Sequence, residues 1–210
     1  MVLKNKVAVV VGASGGIGRE VSLALAKKRV NLVLVARKMD SLDVLVRELS
    51  KHQIKIDKFT CNLSDPKSIE DFGKSIRTEF ESIDLLFHLA GIAVYKNLPE
   101  ISYEEWKNSM DINATSVFYI TQKLLPLLEN SEKAYVISSG SGMGKVALSG
   151  RSPYCASKFA LRGLMLSLAK EYKKTNIHFV HLTLGSVLTA FGPLSLEKKK
   201  EKQEKGKRYL

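Results

Sequence analysis

The sequence predicts an α/β protein built on a doubly wound parallel sheet with helices on both faces. Three observations lead there. Short apolar runs recur along the chain, with the nearly continuous hydrophobicity of strands buried on two sides. Segments of helical period separate them, and strand–helix alternation of this kind requires parallel pairing with crossovers. A glycine cluster directly follows the first run.

The first run is Val7–Val11 (VAVVV), and residues 15–29 behind it carry apolar side chains at helical spacing. Asn31–Ala36 (NLVLVA) is a second buried strand, residues 41–50 an amphipathic helix, and residues 54–60 a weaker strand. Asp65 and Pro66 open the next helix, the acid as N-cap and the proline at the first helical position. Residues 83–90 (IDLLFHLA) read as a strand, 104–129 as one helix with Pro126 near its end, and 134–139 (AYVISS) as a strand. Residues 154–173 form a long helix and Ile177–Leu184 a last strand. The expectation is a single domain over residues 1–192. Residues 193–210 follow as a basic, lysine-rich tail or the start of a substrate lid.

Composition excludes several classes. With 210 residues, 45% of them hydrophobic, the chain can fill a full core and is not disordered. No apolar run reaches the ~18 residues of a membrane helix, and the N-terminus lacks a signal peptide's apolar stretch. Stable membrane insertion is therefore not expected, and the location expected is cytoplasmic. Cys61 and Cys155 make neither a disulfide framework nor a metal site. The net charge of +12 raises nucleic-acid binding, but residues 197–210 hold seven Lys/Arg against three Glu in mixed-sign order and the rest is scattered. No nucleic-acid partner is expected.

In doubly wound sheets ligands sit beyond the carboxyl ends of the strands. After the first strand comes Gly12-Ala13-Ser14-Gly15-Gly16-Ile17-Gly18-Arg19. A tight turn feeding a helix lets backbone N–H groups approach a pyrophosphate, and the helix N-terminus favours its charge. After the second strand stands Ala36-Arg37-Lys38, without the acid that would take a ribose 2′-hydroxyl. The Arg37 fork suits a 2′-phosphate, with Arg19 as a possible helper, so NADP is the expected cofactor.

Tyr154 and Lys158 share one helix face, where an ammonium favours the phenolate and tunes the tyrosine for proton transfer. The pair alone is a weak signal: about one Tyr-x-x-x-Lys is expected by chance, and the chain also has Tyr103/Lys107 and Tyr119/Lys123. Only Tyr154/Lys158 follows a Gly/Ser loop behind a buried strand. The apolar residues of that loop, Met143, Val146 and Leu148, suggest an apolar substrate wall.

From Val7 to about Thr189 the chain resembles the short-chain dehydrogenase/reductase family. The matching stretches are GASGGIG (12–18), HLAG (88–91), DINATS (111–116), VISSGSG (136–142), YCASK (154–158) and LGSVLT (184–189). The resemblance implies a Rossmann-type fold and an NADPH-dependent oxidoreductase. It would reduce a carbonyl, or oxidise the matching alcohol, of a small apolar substrate. In that case Gly12, Ser14, Gly15, Gly16, Ile17 and Gly18 form the cofactor loop. Asn62, with Leu63 beside it, faces the adenine. Ala90 and Gly91 line the ribose, while Val187 and Thr189 take the carboxamide and pyrophosphate side. Tyr154 is the general acid/base, Lys158 lowers its pKa and holds the nicotinamide ribose, and Asn113 binds a relay water.

A serine after the fifth strand would polarise the carbonyl. Strand register puts it at Ser139, and counting back from Tyr154 by the family's interval puts it at Ser141. A glycine weakens a strand interior, which favours Ser139. Val11, Asn62, His88-Leu89 and Leu184 stand where the family prefers Thr, Asp, Asn-Asn and Pro, all supporting positions. Relatives continue with a further helix and strand, so the C-terminal strand is expected to be missing. A homo-oligomer, dimer or tetramer, is also implied. The rival reading is a nucleotide-binding scaffold of the same fold that has lost turnover.

Overall fold

The computed structural model describes residues 2–192 and 195–204. Six parallel strands form one sheet in the order β3-β2-β1-β4-β5-β6. They are β1 (Val7–Val11), β2 (Asn31–Ala36), β3 (Ile56–Thr60), β4 (Leu85–His88), β5 (Ala134–Ser141) and β6 (Ile177–Leu184). The order reverses between β3-β2-β1 and β4-β5-β6, which opens a crevice at the carboxyl end of β1.

Strand alternation sorts the apolar side chains onto two faces. Val9, Val11, Val33, Val35, Leu86 and Val136 pack under α3 (Pro66–Glu79), α5 (Ser116–Glu129) and α6 (Ser152–Glu171). Ala8, Val10, Leu32, Leu34, Leu85 and Ile137 pack under α1 (Gly16–Lys27) and α2 (Met39–Leu49). Both faces are thus covered, as the continuous apolar runs require. The Asp65 side chain caps α3 by accepting from the Lys67 N–H, with Pro66 in the first turn.

Two elements differ from expectation. Residues 104–129 are not one α-helix. α4 (Tyr103–Met110) passes into a wide π turn, Asp111–Thr115, before α5 begins. Hydrophobic period does not reveal such a turn, since one added residue only rotates the following face. β5 runs two residues beyond the expected strand, because Gly140 and Ser141 still pair with Thr183 and Leu184 of β6. A side chain at Gly140 would collide with the His181 ring at 2.3 Å, so here the glycine is what lets the strand continue. Beyond β6, α7 (Leu196–Glu204) forms in the lysine-rich tail. Among the described residues no helix is long and apolar enough to cross a membrane.

Candidate active site

A cleft of about 450 Å³ opens at the carboxyl ends of the central strands. Its floor is the glycine turn. Gly12 has φ +86°, and a Cβ there would fall 2.5 Å from the Ala90 nitrogen. Only glycine permits both the left-handed backbone and this approach. Gly15 is the N-cap of α1, and no side chain caps that helix. Its first-turn N–H groups therefore face the cleft as a ready anion site.

Of the residues expected at the cofactor, Gly12, Ser14, Gly15, Gly16, Ile17, Arg37, Leu63, Ala90, Gly91, Tyr154, Lys158, Val187 and Thr189 line the cleft. Gly18 and Asn62 do not. Gly18 is a packing glycine, since a Cβ would stand 2.1 Å from the Gly12 carbonyl oxygen. The Asn62 side chain folds back and accepts from the Ser64 N–H and hydroxyl, leaving Cys61 and Leu63 on the wall. Arg19 is also spent elsewhere, on Glu20 and Glu48 of α2. Arg37 has no hydrogen-bond or ion-pair partner among the described residues, and no Asp or Glu lines the cleft.

At the other end of the cleft stand Ser141, Tyr154 and Lys158. Tyr154 is 6% exposed and Lys158 4% exposed. The Ser141 side chain is the group beside the Tyr154 phenol that favours its ionised form. The Ser139 hydroxyl points away and donates to the His88 carbonyl at 3.1 Å. Against the expectation of Ser139, both serines line the cleft, and Ser141 is the one whose side chain acts on the Tyr154 phenol while the Ser139 hydroxyl is taken up by the His88 carbonyl. The premise of that expectation, that a strand would not run through Gly140, fails because His181 fills the space where the glycine has no side chain.

The tuning of Tyr154 also differs from expectation. Burial pushes its phenol above the usual value, and the Ser141 hydrogen bond opposes this. Lys158 donates instead to the Ser139 carbonyl at 2.9 Å, and burial pushes its own pKa down to about 8. Between pH ~8 and the ordinary lysine value of ~10.4 the unfolded chain binds a proton that the folded chain does not, so this group makes stability rise with pH in that window. Below about pH 8 the penalty is fully present. Lys158→Met should flatten this rise, read from denaturant midpoints measured across the window; an unaltered slope would show that the ammonium is not desolvated.

Asn113 lies in the π turn and is 1% exposed. Its carbonyl oxygen accepts from the Ile92 N–H at 2.8 Å. Its amide donates to the Ile92 carbonyl and to the Ser157 hydroxyl, both at 2.9 Å. Ser157 in turn donates to the Tyr154 carbonyl at 2.8 Å. The side chain thus clamps the loop after β4 to the helix that carries Tyr154 and Lys158. Its two N–H groups are used within the fold, and its oxygen accepts from the Ile92 N–H.

Sequence reasoning missed part of the substrate side. The Tyr95 ring meets Tyr154 edge-on at 6.1 Å, and Phe191 lies 5.8 Å from it on another side. Met143 and Cys155 complete this apolar cluster, whereas Val146 and Leu148 are exposed. The signal for Tyr95 was present, as an aromatic in an apolar loop just after β4. Phe191 follows Thr189 on a strap over the cleft, with Thr189 close above Gly16. Lys199 of α7 is 4% exposed and donates to the carbonyls of Thr189 (2.7 Å) and Phe191. The other two Tyr-x-x-x-Lys pairs are surface features: Lys107 pairs with Asp111, while Tyr119 and Lys123 both bind Glu70.

Comparison with known proteins agrees with this arrangement. The short chain dehydrogenase family model matches residues 6–200. The NADP-dependent 3-hydroxy acid dehydrogenase of Schizosaccharomyces pombe is 29% identical over 205 residues, covering 96% of this chain and 79% of that protein. The glycine betaine reductase of Emericella nidulans is 28% identical over 187 residues, 89% of this chain but only 15% of that much longer protein. A short chain dehydrogenase of Shigella flexneri, solved in complex with NADP, superposes with a TM-score of 0.86 at 26% identity, covering 94% of this chain and 86% of that one. With the glycine turn, the paired Tyr154 and Lys158 and the six-stranded sheet in place, the chain belongs to the short-chain dehydrogenase/reductase family of oxidoreductases.

Proposed function

We propose that this protein catalyses NADPH-dependent reduction of a carbonyl, or oxidation of the matching alcohol, on a small substrate with an apolar body. The observation that carries it is one cleft with two ends: a glycine turn and Arg37, which has no partner among the described residues, at one, and Ser141, Tyr154 and Lys158 at the other. The residues present fit a dinucleotide. Gly12, Gly15 and Gly16 leave the backbone bare for the pyrophosphate, and the uncapped α1 N-terminus faces it. Lys158, which lines the same cleft, would hold the cofactor's ribose, and Arg37 would take the 2′-phosphate.

NADPH, when bound, supplies the hydride. The Tyr154 hydroxyl donates its proton to the carbonyl oxygen, and the Ser141 hydroxyl donates a hydrogen bond to the same oxygen. Charge develops on that oxygen in the transition state, so a positioned donor there lowers the barrier rather than merely binding substrate. Lys158, in its charged form, favours the phenolate that Tyr154 leaves behind. Asn113 is a positioning residue that holds Ile92 and, through Ser157, the start of α6. Tyr95, Met143 and Phe191 exclude water and receive the substrate's apolar body. Association between copies is supported by the exposed Phe118 of α5 and Phe159 and Leu166 of α6.

A screen of ketones and aldehydes that follows NADPH absorbance tests this reading. NADPH should bind more tightly than NADH, and Arg37→Asp should reverse the order. A bidentate Arg–phosphate pair contributes on the scale of ~1.5–3 kcal/mol, about ten- to a hundredfold in affinity. Equal or tighter NADH binding by the unaltered protein would refute the role of Arg37.

A further inference from the structure

Arg151 stands one turn upstream of Tyr154, at the N-cap of α6. Its guanidinium carbon lies 4.5 Å from the centre of the Tyr95 ring, the same ring that meets Tyr154 edge-on. One of its N–H groups is directed at the Met143 sulfur at 3.8 Å, and Met143 shares a buried cluster with Tyr154 and Cys155. The cation is therefore held between an aromatic face and a thioether in the wall beside the reacting hydroxyl.

What it lacks is an oxygen acceptor. Arginine offers five N–H donors, and sulfur is a weak acceptor. Among the described residues no carboxylate pairs with Arg151. Glu105 is bound to Lys96 and to the Ser102 N–H, and Glu100 to the Asn97 N–H. The cleft lined by Ser141, Tyr154 and Phe191 is likewise without Asp or Glu, and Arg151 stands outside that lining, on the far side of the Tyr95 ring that meets Tyr154. A fixed, planar, half-buried cation with its donors unspent is suited to two-point capture of a carboxylate.

We propose that Arg151 receives a carboxylate of the substrate, which makes the substrate class the oxo acids and their matching hydroxy acids. This rests on the carbonyl-reductase reading and narrows it. The carboxylate takes no part in bond changes. The ketone carbon gains hydride from NADPH, its oxygen gains the Tyr154 proton, and NADP⁺ is released. The apolar chain between the two groups lies along Tyr95, Met143 and Phe191, so recognition is by one charge at a set distance from the carbonyl.

The test uses straight-chain oxo acids of increasing carbonyl-to-carboxylate separation, each beside its methyl ester, and reads the acid-to-ester ratio of kcat/KM. For the best acid the unaltered protein should favour the acid by about ten- to a hundredfold, the scale of one hydrogen bond to a charged group. Arg151→Met should bring the ratio to about one, and Arg151→Lys should keep part of it. An unaltered protein with no preference for any acid overturns the proposal. So does Arg151→Met lowering acid and ester by the same factor, which marks a purely structural residue. If neither acid nor ester is reduced, the oxidoreductase reading itself fails. Calorimetric titration of the acids into the NADPH-loaded protein then decides: binding weakened about tenfold by Arg151→Met supports carboxylate capture, and equal binding overturns it.

Discussion

Replacing Tyr154 by phenylalanine should abolish carbonyl reduction while NADPH still binds. Tyr154 lines the cleft beside Ser141 and Lys158, and its phenol is the group assigned to protonate the carbonyl oxygen. Positioned proton transfer contributes ~10²–10⁴ in rate, so steady-state turnover should fall by at least that scale. The ring itself remains against Tyr95, Phe191 and the Met143 cluster. Folding should therefore survive, with a cost near the ~1 kcal/mol of one hydrogen bond. NADPH fluorescence reports cofactor binding independently of turnover. Tyr103→Phe and Tyr119→Phe are the controls: one ring is 79% exposed and the other serves a surface ion-pair cluster, so both should leave turnover near its original level. Substantial reduction by Tyr154→Phe would mean the proton comes from another group.

The second large effect separates two serines two residues apart. Ser141→Ala removes the donor that shares the carbonyl oxygen with Tyr154, and losing one such donor typically costs ~10²–10³ in kcat. The same hydroxyl accepts from the Met143 N–H at 3.2 Å, so part of the loss will come through the loop. Ser141→Thr, which keeps the hydroxyl, should recover much of kcat and distinguishes the two contributions. Ser139→Ala removes a buried bond to the His88 carbonyl. It should lower stability by about 1 kcal/mol and change kcat far less. The opposite ranking in kcat would return the role to Ser139.

Both predictions depend on which parts of the site were visible before any coordinates. The doubly wound sheet was legible because its strands are buried on two faces, and such strands show as short apolar runs whatever surrounds them. The glycine turn was legible for a local reason as well: φ at Gly12 and the closeness of Ala90 admit one residue type. Tyr154 and Lys158 could be chosen among three equal pairs only by their place after a strand at the sheet's carboxyl edge. That is a rule of topology, read through the element order.

Tertiary structure decided what depended on contacts between distant segments. Ser139 and Ser141 alternate across one strand, and only the pairing of β5 with β6, together with His181 filling the space beside Gly140, determines how far the strand runs and which hydroxyl meets Tyr154. The Asn113 side chain bonds to Ile92 and Ser157, partners 21 and 44 residues away that no local pattern reveals. Arg19 and Arg37 look alike as cations near a phosphate turn, yet Glu48 of α2 neutralises the first and nothing described pairs with the second. Burial reverses the sign expected for the tyrosine: a buried phenol resists ionisation, and the ammonium meant to help it is itself desolvated and bonded to a carbonyl. Composition, period and turn chemistry are local quantities, and by themselves they determined the order of strands and helices and the glycine turn of this protein. Direction, partnership and desolvation of a side chain are properties of its neighbours in space, which is why the orientations of Ser139 and Ser141, the Asn113 clamp and the surroundings of Arg37 and Arg151 emerged only with the fold.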